Sequence, residues 1–437
     1  MHVLAQKAAA LPSCAVTAVS VTGSLRGEPL PRPATAACSR DRACRRPFAA
    51  ETRRPHRKRP AWPPDQTTVS RAQRCQGYWG MTFALDSLVH PIVQAPMGGG
   101  PSTPALAAAV SGVGGLGFLA AGYKTIEAVR GDLDQLRSLA PTGVPFGINL
   151  FAPPEHGAGA ANVAAYADTI RAEAERSGTV LGQPRWDDDR YAEKLDLVCA
   201  EHVPVVSFTF GCPSVDDVRR LRDAGAAVWV TVTTPDEARA AHATGVDGLI
   251  AQGIEAGGHR GAFDDTRPGD LGLLALLQLV RDAVGDATPL VATGGIATGR
   301  AVAAVLAAGA TAAQLGTALM LCPEAATAPA QRSAIEDSHE STALTRAFTG
   351  RAARAIINRF LREHSENAPS AYPEVHHLTA PIRAAARQRG DAAGFNLWAG
   401  QAYPLAAAMP AAELVVQLAT DARAALADTT ARFCDSG

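Results

Sequence analysis

The sequence predicts an α/β protein: a closed (β/α)8 TIM barrel with a helical insertion after the third strand and a C-terminal helical extension. Two observations carry this expectation. From Phe83 onward, short apolar runs ending in Gly, Asn, Gln or Pro alternate with Ala-rich stretches of helical period, the rhythm of a parallel sheet with crossover helices. Eight such runs occur, and an open doubly wound sheet would need fewer.

In chain order, strands are expected at 91–95, 116–120, 145–150, 203–208, 226–232, 247–252, 289–293 and 312–315. Several of the helical stretches between them, such as VDDVRRLRDAG and PDEARAAHATG, close on Ala-Gly or Thr-Gly, a helix stop followed at once by the next strand. This places the barrel at residues 81–325. The rhythm breaks at 152–201, where ANVAAYADTIRAEAERSG and a polar, Trp-containing stretch form an insertion at the catalytic face of a barrel, a candidate lid. Residues 326–437 form the extension and end in an amphipathic helix, AAELVVQLATDARAALAD.

Composition narrows the function classes. Hydrophobic residues make up 47% of the 437, enough for a sizeable core, and no apolar run reaches the roughly 20 residues that span a bilayer. The net charge of −1 conceals an asymmetry, because residues 1–80 carry 14 Lys+Arg against 4 Asp+Glu. That segment is Pro- and Arg-rich and lacks a helical or strand period, so it reads as disordered, or as sequence upstream of a true start at Met81. No recognition helix or interleaved aromatic patch points to nucleic acid. The 8 cysteines include no C-x-x-C pair, which argues against a zinc site and a disulfide framework and for a cytoplasmic protein. The adjacent His376 and His377 face different directions on any regular element, and no metal site is expected.

The chain is organised around GLIAQGIEAGGHRG, residues 248–261. A buried strand ends there in a turn-rich segment carrying Gln252, the pair Gly257-Gly258 and His259. Glycines let a backbone approach a flat ligand, and an imidazole exchanges protons near neutral pH. After the seventh and eighth strands come ATGGIATGR and QLGTALM, where Gly294, Gly295, Gly316 and Thr317 can cradle a phosphate at a helix N-terminus. The first strand ends in QAPMGGG and the third in GINL, offering Met97 and the amide of Asn149 at the barrel mouth. A phosphate on one side and amides across from it describe a mononucleotide with a flat head, and flavin fits.

PIVQAPMGGG, GGLGFLAAG, PFGINLF, VSFTFGCP, QGIEAGGHRG, ATGGIATGR and QLGTALM, in that order, resemble the nitronate monooxygenase family over about residues 83–325. The tail NLWAGQ is similar to actinobacterial-type members. The resemblance implies an FMN-dependent, metal-free oxidoreductase that oxidises alkyl nitronates with O2. Carried onto this chain, the family's flavin contacts fall on Met97, Asn149, Gln252, Gly257, Gly294, Gly295, Gln314, Leu315, Gly316 and Thr317. Its active-site histidine falls on His259, which would take a proton from a neutral nitroalkane or hydrogen-bond the nitronate. The nearest alternatives share the EAGGH segment or the barrel: an FMN-dependent enoyl-acyl-carrier-protein reductase and an NAD(P)H:quinone reductase. The oligomeric state has no sequence signal.

Overall fold

A computed structural model describes residues 83–153 and 159–434. The expectations for residues 1–80 therefore lie outside the described residues.

Eight parallel strands form the predicted barrel: β1 (Ile92–Gln94), β2 (Gly117–Ala120), β3 (Phe146–Phe151), β4 (Val205–Thr209), β5 (Ala227–Val232), β6 (Gly248–Gln252), and, after the two-residue β7 (Gly258–His259), β8 (Leu290–Thr293) and β9 (Ala312–Leu315). The sheet order is β1-β9-β8-β6-β5-β4-β3-β2. A parallel bridge from Val93 to Leu116 joins β1 to β2, and Gln94 N donates to Leu116 O at 2.9 Å, so the ring is nearly closed. Each strand lies within two residues of its expected position.

Strand alternation sorts side chains between two layers. Val93, Phe118, Val205, Ala227, Trp229, Ile250, Val291 and Ala312 fill the barrel interior toward its N-terminal end, where Phe83, Leu85 and Leu88 plug the bottom. The alternate residues, among them Ile92, Ile148, Val206, Val228, Leu249 and Leu290, pack outward against the helices. The C-terminal helix Ala411–Cys434 buries Leu414, Val415, Leu418 and Ala422 in that outer layer. It lies so close to the helix Gly299–Ala307 that a Cβ on Gly299 would come within 2.3 Å of Asp421.

The insertion is helical, with helices Ala160–Thr169, Arg171–Arg176 and Tyr191–Ala200. The extension contains helices as expected, but also two strands, β10 (Thr342–Thr345) and β11 (Ala353–Ile356), that a helical period does not announce. β10 pairs antiparallel with β11, and β11 pairs antiparallel with β7, so Ala353 faces His259 and Arg354 faces Gly258. The extension thus completes a three-stranded sheet with the loop that carries the histidine. Insertion and extension share a separate core of Tyr166, Ile170, Phe348, Phe360, Val375 and Ile382. They are also joined by an ion pair from Arg359 (2.6 Å) and a hydrogen-bond contact from His364 (3.3 Å) to the buried Glu173. Glu173, Glu363 and His364 sit within metal-ligating distance of one another, yet Arg176 and Arg359 already neutralise the carboxylates.

Candidate active site

The β6–β7 loop is fixed from below. Gln252 Oε1 accepts from Gly261 N at 2.8 Å and its Nε2 donates to His259 O at 3.1 Å, so this amide closes the loop on itself. Fully buried Arg260 donates to Gly253 O, Gln252 O and Pro268 O. Glu255 accepts from Leu273 N, a first-turn donor without a partner inside the helix Leu273–Val284, and acts as its cap. A Cβ on Gly257 would come within 2.4 Å of Gly400 N, so glycine is required there by the packing of the Ala399–Gly400 backbone. Gly258 has φ +72.

These constraints aim His259 into a cavity of about 400 Å3 at the C-terminal mouth of the barrel. Its Nε2 lies 2.9 Å from Thr349 Oγ1. That hydroxyl has two acceptors in reach, the ring at 2.9 Å and Arg351 O at 3.3 Å. The ring is the closer of the two, and Nδ1 makes no hydrogen bond among the described residues, which leaves it facing the cavity for a ligand. Burial, then the Arg351 and Arg383 guanidiniums, push the His259 pKa down to about 3. The imidazole is therefore neutral at physiological pH.

Of the other predicted residues, Met97, Asn149, Gln252, Gly257, Gly294, Gly295, Gln314, Gly316 and Thr317 all line this cavity. Leu315 does not: it is 1% exposed and its side chain lies in the layer between strands and helices, the outward turn of β9 that brings Gln314 inward. Asn149 Nδ2 is held by Ser207 and Thr209. Gln314 Nε2 is buried with no partner, a donor directed at the mouth. Gly294 and Gly295 have φ +119 and +67, backbone that side chains rarely adopt. Thr317 Oγ1 accepts from Gly400 N at 3.0 Å and keeps its own proton to donate. A small polar basin with an unsatisfied amide, positive-φ glycines and a free hydroxyl suits a phosphorylated ligand with a planar, hydrogen-bonding head.

The nitronate monooxygenase profile matches residues 82–421. This chain belongs to the nitronate monooxygenase family. A nitronate monooxygenase of Pseudomonas aeruginosa is 41% identical over 351 residues, covering 78% of this chain and 98% of its own. Among solved structures, a nitroalkane oxidase from Streptomyces ansochromogenes superposes with TM-score 0.75 at 50% identity, covering 79% of this chain and 99% of the other. FabK from Thermotoga maritima superposes less well, with TM-score 0.62 at 25% identity over 80% of this chain and 97% of its own.

In this chain the extension and the β2 loop supply the cavity walls that the motifs missed. Tyr123 stacks on His376 with ring centroids 4.3 Å apart and planes 3° from parallel. Its left-handed backbone, φ +67, is held by Asp189 of the insertion, which accepts from Tyr123 N at 2.9 Å and pairs with buried Lys194 at 2.7 Å. Trp398 of NLWAGQ lies 5.3 Å from His259, centroid to centroid. His376 faces the cavity, while its neighbour His377 approaches Asp187 at 3.4 Å on the other side, in keeping with their opposite orientations. The signal that could have found these residues was the aromatic and amide content of YPEVHH and FNLW, conspicuous in a chain with only 5% aromatics.

Proposed function

We propose that this chain binds FMN at the barrel mouth and oxidises alkyl nitronates with O2. The observation that carries the proposal is the chemistry of the cavity around His259: a neutral imidazole whose Nδ1 has no protein partner among the described residues, two buried guanidiniums acting on it, and no Asp or Glu among the lining residues. Such a basin favours a small anion, and a nitronate is one. The family match and the resemblance to a nitroalkane oxidase support the same reading.

The phosphate of FMN would rest on Gly294, Gly295, Gly316 and Thr317, with the ring edge meeting Gln314, Asn149 and the Met97 segment. Bound there, the flavin supplies the redox chemistry between nitronate and O2. The protein's part is orientation and electrostatics. Nδ1–H of His259 donates to a nitronate oxygen, Thr349 orients the ring, and the walls of Tyr123, Phe151, Phe210 and Trp398 exclude water. An imidazole whose pKa lies near 3 is a weak base toward a C–H proton, so hydrogen bonding to an already ionised substrate, the second of the two roles expected for His259, is the one proposed.

The test is oxygen consumption by purified protein with a preformed nitronate and its parent nitroalkane, alongside chromatography of the heat-released chromophore. FMN and turnover of the nitronate at least about 100-fold faster than the nitroalkane are expected, since general-base help is worth about 10² to 10⁴. Protein without flavin, or activity only as NAD(P)H-dependent reduction of an enoyl thioester or quinone, would overturn the reading.

A further inference from the structure

Arg383 is a buried cation without a counter-ion. It sits on the helix Glu374–Gln388, is 7% exposed, and lines the cavity. Nε donates to Thr379 Oγ1 at 3.0 Å, and Nη2 donates to His376 O at 2.8 Å and approaches His376 Nδ1 at 3.3 Å. Among the described residues no carboxylate lies within ion-pair distance, and no hydrogen bond is made by Nη1. The groups facing it are the phenols of Tyr123 and Tyr372 and, on its own helix, the His376 imidazole and the Arg387 guanidinium, none of which supplies a negative charge at neutral pH. Arg387, one turn further along the same helix, donates to Asn396 Oδ1 at 3.1 Å and lies over the Phe395 ring, so it too has no acid partner.

Leaving a charge buried and unpaired costs several kcal/mol unless something compensates it. Other buried arginines of this protein are compensated by groups away from the cavity. Arg260 makes three bonds to backbone carbonyls, and Arg351 bonds to the Arg260 and Ala262 carbonyls and lies 4.0 Å over the Phe210 ring. Arg383 keeps Nη1 without a hydrogen bond and, unlike Arg260 and Arg351, lines the cavity that His259 also faces. Burial pushes its pKa down to about 10, far above neutral, so it remains charged.

We propose that Arg383 is the anion receptor of this site, pairing with the negative charge of the substrate and making the enzyme select a nitronate over its neutral nitroalkane. The inference rests on the nitronate-oxidising function proposed above. In this arrangement His259 Nδ1–H and the Arg383 guanidinium donate to the ionised substrate, and the neutral nitro compound, which lacks the net charge, gains little from the second contact.

The experiment uses the flavin-loaded protein and the variants Arg383→Gln and Arg383→Lys. Nitrate, a planar unreactive anion, is titrated by calorimetry, and steady-state kinetics are measured with a preformed nitronate and its nitroalkane. For Arg383→Gln, nitrate affinity and the nitronate KM should worsen about 10- to 100-fold, the range of a charged hydrogen bond of about 1.5 to 3 kcal/mol. The nitroalkane KM should change less than about threefold, with flavin content and melting temperature retained. Arg383→Lys should recover part of both losses. Equal losses on anion and neutral substrate would make Arg383 a structural residue and overturn the proposal. So would loss of flavin from a folded variant, which would assign the guanidinium to the cofactor phosphate. Nitrate binding that depends on Arg383 in a wild-type protein that oxidises no nitronate would uphold the anion receptor while refuting the proposed activity, so the two fail separately.

Discussion

At the scale of residues, His259 works in an environment that removes its usual titration. Because kcat/KM reports the free enzyme, the pH profile with a preformed nitronate should show no limb near 6.5, and a limb there would mean the imidazole is solvated. Thr349→Val deletes the hydrogen-bond partner that orients the His259 ring and should lower kcat/KM about tenfold with flavin retained. Glycines of the site divide by what a side chain would meet. A Cβ on Gly316 finds only ordinary contacts with Ala95 and Met97 at 3.5 Å and beyond, so Gly316→Ala should fold and lose FMN affinity if the phosphate lies there. Gly257→Ala strikes the Ala399–Gly400 backbone and should cost stability whatever the ligand. Colour and melting temperature together separate the two effects. The sequence made Gly257 and Gln252 stand out through their place at a strand end, and both do line the cavity. What it left hidden was their second duty, one seating the 399–400 segment and the other closing the loop, because those partners lie far along the chain or in the backbone.

At the scale of elements, the eight barrel strands were legible because each is a short, continuously apolar run bounded by turn residues, with no competing pattern. β7, β10 and β11 were not. β7 is two residues of a glycine-rich loop, and β10 and β11 are four residues each, too short for alternation to emerge from an Ala-rich background. Their pairing nevertheless fixes the site. Asp265 binds the barrel loop to the extension: Oδ1 accepts from Ala352 N at 2.9 Å, and Oδ2 from Arg346 Nε at 2.8 Å and Ser370 Oγ at 2.7 Å. Asp265→Ala leaves these donors without their acceptor. It should destabilise by about 2 to 4 kcal/mol, the scale of charged hydrogen bonds lost together, and should open residues 340–372 to proteolysis before the barrel unfolds. Simultaneous melting of barrel and extension, with no early cleavage, would show that the sheet is not the weak joint. The insertion expected as a lid grips the site through Asp189 on Tyr123, so its influence should appear in substrate KM and not in flavin content.

At the scale of the whole molecule, the family match begins at residue 82, beside the Met81 start considered from composition, and a chain beginning at Met81 should yield soluble, yellow protein. A second consequence comes from the buried imidazoles. His259 and His376 both lie far below the ordinary histidine value, His376 down to about 2, first through burial and then through neighbouring positive charge that includes Arg383. Unfolded, each titrates near 6.5, so between the folded and unfolded values the unfolded chain binds more protons than the native one. Stability from these two sites is fully present above about pH 6.5 and is lost as the pH falls below it. Thermal melts from about pH 7.5 down to pH 5 should therefore show Tm falling, with the slope reduced in His376→Phe, which keeps the stacking on Tyr123 and removes one titrating ring. An anion in the cavity offsets the guanidiniums and raises both native pKa values, so saturating nitrate should flatten the same slope in wild type and have less effect in Arg383→Gln. A Tm that rises on acidification, or a slope indifferent to both the substitution and nitrate, would mean that these histidines are already protonated in the native protein.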